Sequence, residues 1–216
     1  MIFIDHNYLK VKTVETAKLL RKMSILKNDN NGQLNEGRYD LEKNSVNKAI
    51  RNAIKRGNIN SVKELIGKDK EILHTMTPFG SWLHIAAKKG QMEIVEYLVH
   101  KGIDVNIKGD IFDASPLRVA AGEGHVEIVQ YLIQSGAELD VSLAKRNPLF
   151  SAIYGGHKEI VEYLVNQGID ISVQYTGENI EDMDAYRYAK EFGQTEIADY
   201  LKQKLNEKVQ KRVLED

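Results

Sequence analysis

The chain has 216 residues, an apolar fraction of 42%, a charged fraction of 28% and a formal net charge of −1. These values fit one sizeable domain or a short array of stacked units, argue against two large independent domains, and supply no whole-molecule field to attract polyanions or membranes. Cysteine is absent, so disulfides, thiolate nucleophiles and cysteine-ligated metal sites are excluded.

Taken in chain order, the first residues, Met1 to His6, lack the basic segment and long apolar run of a secretion signal. No stretch approaches the roughly 18 uninterrupted apolar residues of a membrane span, and a cytoplasmic protein is expected. Val14, Ala17, Leu20 and Met23 predict an amphipathic helix over 13–26, and the polar run 28–37 reads as a linker. Residues 1–44 are therefore expected to form a helical and partly flexible segment that caps the rest of the chain.

Self-similarity then takes over. Ser81-Trp82-Leu83-His84-Ile85-Ala86-Ala87 leads through Gly90 to Ile94-Val95-Glu96-Tyr97-Leu98-Val99 and Gly102. Ser115-Pro116-Leu117-Arg118-Val119-Ala120-Ala121 leads through Gly124-His125 to Ile128-Val129-Gln130-Tyr131-Leu132-Ile133 and Gly136. Asn147-Pro148-Leu149 leads through Gly156-His157 to Ile160-Val161-Glu162-Tyr163-Leu164-Val165 and Gly168. Gly90, Gly124 and Gly156 are spaced by 34 and then 32 residues, and degenerate copies around Gly57 and Gly193 bring the count to about five units.

Each unit predicts a short helix with small residues, a glycine that takes a left-handed turn, and a second helix with one apolar stripe. Neither helix hides its stripe alone, so stability has to come from stacking on the neighbouring unit. The final helix is expected to run on from Glu196 past residue 201, with Leu201, Leu205, Val209 and Val213 in a stripe and a charged outer side, as a cap over 202–216.

These segments resemble the ankyrin-repeat family, whose marker is Thr-Pro-Leu-His-x-Ala followed by Gly-His-x-Glu-Ile-Val and Gly-Ala-Asp-Val-Asn. The resemblance spans 45–201, divided at about 45–76, 77–109, 110–142, 143–174 and 175–201. It implies an all-α ankyrin solenoid of about five helix pairs with β-hairpin-like loops, N- and C-terminal capping helices, and a concave face used for binding. Trp82 stands where the family usually has proline, and Arg118 and Phe150 stand where His84 does, so the later turns are expected to be looser or repurposed. A longer loop over 175–184 stretches the last spacing to 37. The ending also resembles that of small bacterial stand-alone members, some of which neutralise a toxin as immunity proteins; an adaptor or effector recruiting a cellular protein is the alternative.

The search for chemistry returns scaffold. His125 and His157 recur beside the turn glycine, and no His pair has the spacing that puts two metal ligands on one helix face. Glu93, Glu127, Glu159 and Glu196 recur because the second helix recurs. Gly122-Glu123-Gly124 lacks the lysine and strand of a phosphate loop. No catalytic residue, cofactor or metal is assigned, and a non-enzymatic monomer with a protein partner, but neither nucleic acid nor membrane, is expected.

Aromatic and apolar residues at variable positions of a repeat mark the surface a partner would cover. Those positions are Phe79, Trp82, Ile111, Phe112, Tyr154, Tyr175 and Phe192. Lys88, Lys89, Asp113, Glu123, Arg146 and Glu191 are expected to supply the polar rim.

Overall fold

The computed structural model describes residues 36–67, 69–109, 113–177 and 180–215. The chain divides into two compact units, 1–75 and 76–216. The predicted helix over 13–26 and most of the linker lie outside the described residues.

In the first unit α1 (Glu36–Lys55) packs on α2 (Ile59–Ile66), and a single turn, α3 (Lys70–Leu73), follows. Gly57 turns the chain with φ +67°, and the Asn58 side chain accepts from the Ser61 amide at 3.0 Å, capping α2. Ile50 and Ile54 of α1 and Val62 and Ile66 of α2 are buried. Each such side chain contributes about 1.5–3 kcal/mol when fully removed from water. The expected boundary between 44 and 45 falls inside α1, because the helical run is unbroken there.

The described residues of the second unit form four helix pairs. They are α4 (Trp82–Lys88) with α5 (Met92–His100), α6 (Pro116–Glu123) with α7 (Val126–Gln134), and α8 (Pro148–Tyr154) with α9 (Lys158–Asn166). The fourth pair, α10 (Ala185–Glu191) with α11 (Thr195–Glu215), ends in the expected long helix. First helices pack on first helices and second on second. Leu83, Leu117 and Leu149 anchor the first row, and Leu98, Leu132, Leu164 and Leu201 the second, all fully buried.

Between the helices of a pair, Gly90, Gly124, Gly156 and Gly193 adopt positive φ. The first two are needed for a second reason. A Cβ on Gly90 would lie 2.6 Å from the His125 ring, and one on Gly124 would lie 2.6 Å from the His157 ring. Each histidine thus covers the glycine of the preceding pair and holds its Nε2 near a carbonyl there, Lys88 O at 3.3 Å and Gly122 O at 3.1 Å.

The connections before each first helix differ. Thr77 and Gly80, and Gly109 and Ala114, form isolated antiparallel bridges. Residues 141–147 form turns without a bridge. The segment 175–184, expected as a loop, is instead a two-stranded antiparallel ribbon, β1 (Tyr175–Gly177) with β2 (Ile180–Met183), pairing Tyr175 with Met183. Gly177 marks the turn between two short runs that pair at their apolar ends, and Asp182 takes positive φ in the irregular register.

Candidate functional site

The first helices present equivalent positions side by side. His84, Arg118 and Phe150 form one row, and Lys88, Gly122 and Tyr154 another. Both rows line a groove of about 750 Å³, with Phe79 in its lining from one hairpin and Tyr175 and Met183 from the last ribbon. Gly122 leaves a notch between Lys88 and Tyr154, since a residue without a side chain sits between a cation and a ring.

One end is polar. The His84 Nδ1 accepts from the Ser81 amide at 3.2 Å and the Ser81 hydroxyl at 2.9 Å, which leaves Nε2 to carry the proton and donate to Ala114 O at 2.8 Å. The ring is buried and joins two neighbouring connections, so it is a fixed wall of the groove. Lys88 pairs with Glu123 across adjacent first helices at 3.6 Å. Arg118 and Lys145 bring two more cations to the lining.

The other end is aromatic. Phe150 stacks on Tyr188 with centroids 4.5 Å apart and meets Tyr175 edge-on at 5.1 Å. Tyr188 continues to Phe192 at 4.6 Å, and Phe192 meets Tyr154 edge-on at 5.1 Å. Offset and edge-to-face pairs of this kind are favoured by the ring quadrupole. The Tyr175 hydroxyl donates to Val141 O at 2.7 Å and accepts from the Asn147 side-chain Nδ2 at 3.0 Å. Burial raises the Tyr175 and Tyr188 hydroxyls above the ordinary phenol value, which keeps both protonated.

The family model described as ankyrin repeats (3 copies) matches at residues 10–109, 50–143, 83–175 and 117–212. The chain is an ankyrin-repeat protein. No curated protein matches it. Ankyrin repeats are in general protein–protein interaction modules, and the family is typically non-enzymatic. Among the described residues no three His, Asp or Glu side chains converge as metal ligands, and no helix is long and apolar enough to cross a membrane.

The ankyrin stack brings Phe79, Lys88, Glu123, Tyr154 and Tyr175 of the sequence-predicted residues into the groove. Phe192 adjoins it through Tyr154, and Lys89 and Glu191 are exposed without lining it. Asp113 pairs with Arg146 away from the groove. Trp82 requires correction. It starts α4 where Pro116 and Pro148 start α6 and α8, and it is 0% exposed, so the stack consumes its indole and leaves nothing for a partner. Ile111 and Phe112 lie outside the described residues.

Among the lining residues that the sequence reading did not assign to a partner are Arg118, Lys145, Phe150 and Tyr188. For Arg118 and Phe150 the signal was available, because both replace the motif histidine of the ankyrin turn. Tyr188 follows that position by one residue, where Ile85 and Val119 stand in earlier copies.

Proposed function

We propose that this ankyrin protein works by holding a segment of another protein in the groove between its first helices, without turning it over. The observation that carries the reading is a set of large rings left in water around one groove: Tyr154 is 64% exposed, Phe79 58% and Phe192 44%. Isolated apolar groups on a surface are ordinary, but rings on separate repeats facing one groove form the kind of anchor patch that binding energy concentrates on. The mixed charges of Lys88, Glu123 and Lys145 suit a polar rim that sets orientation and encounter rate.

The test uses the full chain as bait in extract of its own cell, alongside Tyr154→Ala and Gly122→Gln. The glutamine fills the notch; a Cβ there would meet Ser151 Cβ at an ordinary 3.4 Å, so folding tolerates it. A protein retained by the wild type and lost from both variants, with melting temperatures within a few degrees of each other, is the expected result. Equal recovery on all three baits would remove the groove from the function.

A further inference from the structure

The groove crosses α4, α6, α8 and α10, each of which contributes to its lining. Resting on the reading above, we propose that the segment it holds is proline-rich, lies in a polyproline II helix, and sets a proline or large aliphatic side chain against the groove at every third residue. The hydrogen-bond donors left open along the groove and the interval at which its seats repeat both point to that occupant.

Polar groups along the groove are of two kinds. The His84 Nε2 is committed to Ala114 O, the Tyr175 hydroxyl to Val141 O, and the Glu123 carboxylate to Lys88. The Tyr188 hydroxyl, by contrast, is neither hydrogen-bonded nor sealed from water among the described residues, so it opens on the groove. That of Tyr154, on a ring 64% exposed, is likewise without a hydrogen bond there. Burial raises the Tyr188 hydroxyl above the ordinary phenol value, and Tyr154 stands close enough to add to the shift, so the pair offers neighbouring O–H donors set among ring surface. A polyproline II chain answers such a wall. Its backbone has no internal hydrogen bonds, its carbonyls are free to accept, and each proline removes an N–H that would need an acceptor. An α-helix would arrive with its carbonyls already used within itself, and a strand would bring an N–H at every residue to a wall whose carboxylate is already engaged.

The seats recur with the stack. On α6 the notch at Gly122 lies between Lys88 and Tyr154, and toward α10 the edge-on pair of Tyr154 and Phe192 forms a ring seat. Packed helices stand about 8–10 Å apart. A polyproline II helix turns once in three residues and rises about 3.1 Å with each, so one turn covers about 9 Å and returns the same face to the next first helix. A β-strand returns its face every second residue, after about 6.6 Å, and falls out of step with the repeat. The preformed polyproline II chain also loses little freedom on docking, which suits a wall of fixed rings. Single-stranded nucleic acid is the competing occupant of a ring-lined groove, but its bases need open ring faces, and those of Phe150 and Tyr188 are turned on each other at 4.5 Å.

The experiment selects a phage-displayed library of random nine-residue peptides on the full chain, then measures the best synthetic peptide by calorimetry on the wild type, Tyr188→Phe and Gly122→Gln. Enrichment of proline three residues from a second proline or from Leu, Ile, Val or Met is expected. Tyr188→Phe keeps the ring and its stack on Phe150 while removing the donor, and affinity should fall about threefold to tenfold, the span of one hydrogen bond. Gly122→Gln fills a seat and should cost at least about tenfold. Enrichment without proline, no enrichment, an affinity unchanged by Tyr188→Phe, or tighter binding of a fluorescein-labelled oligothymidine of about 20 nucleotides than of the best peptide would overturn the proposal. If capture of the cellular partner still depends on Tyr154 and Gly122 while proline-rich peptides fail, this inference alone falls; if capture ignores both residues, the binding reading beneath it falls as well.

Discussion

The junction between α4 and α6 and the junction between α8 and α10 do the same mechanical job with different chemistry. At the first, the buried His84 ring ties Ser81 to Ala114 through three polar contacts. At the other, Phe150 takes the histidine position, stacks on Tyr188, and leaves the hydrogen bonding to a hydroxyl, Tyr175, reaching Val141 and Asn147. A histidine junction closes itself and faces the groove with a ring whose nitrogens are both engaged. An aromatic junction holds by ring contact and faces it with apolar surface, so a ring in place of the motif histidine keeps the junction ordered and makes that end of the groove apolar.

Substitutions break that comparison in order of size. Trp82→Ala beside the polar junction removes a fully buried indole and is expected to cost about 3–5 kcal/mol by urea unfolding; a cost below about 1 kcal/mol would mean that the stack does not depend on it. Gly155→Ala should cost about 1–3 kcal/mol, because its Cβ would press to 2.7 Å from Gly122 O and 2.4 Å from His157 Nε2 although the backbone angles suit any residue. Gly122→Ala, a few residues from Gly124, should be neutral or slightly stabilising in the same assay, which separates a glycine kept for space in the groove from one kept for packing.

The two ties are compared directly by His84→Ala and Tyr175→Phe. The first strands a buried carbonyl and amide and should cost about 2 kcal/mol; the second removes one hydroxyl at a part-buried site and should cost about 1 kcal/mol. Reversal of that order would show the aromatic junction to be the more polar-dependent of the two.

The smallest effect tests the clamp on the last helix. Lys208 donates to Asp170 at 2.8 Å, and that hydrogen bond, with the Ser172 hydroxyl, holds the Asp170 carboxyl down to about 2. A carboxyl depressed in the folded state stabilises above its unfolded value near 3.8, and the gain disappears as pH falls from about 4 to about 2. Both groups are well exposed, so solvent screening keeps the contribution below about 1 kcal/mol. Lys208→Met should therefore lose a degree or two of melting temperature at pH 7 and a smaller amount near pH 2, where Asp170 is about half protonated in the folded state.

The scaffold was readable from the chain because it rests on periodic residues. Glycine at 90, 124, 156 and 193 and the leucines at equal offsets from them specify the turns and both buried rows before any coordinate is known. The groove was readable in part. Phe79, Lys88, Glu123, Tyr154 and Tyr175 stood out as residues a repeat does not need, whereas Trp82 stood out for the same reason and is core. Departure from a motif cannot tell a replaced packing residue from a displayed one; that depends on which neighbour the stack lays over it. The ribbon at 175–183 was likewise hidden, because two runs of three and four residues are too short for alternation to declare itself.

From Gly156 to Gly193 the spacing is 37 residues, five more than the 32 before it, yet Gln194 still settles 3.1 Å from where a Cβ of Gly156 would be. The longer connection lies outside the interlock of Gly156 with Gln194, and its ribbon supplies Tyr175 and Met183 to the wall of the groove. A connection that lies outside the interlock can differ in length while the turn glycines keep their partners.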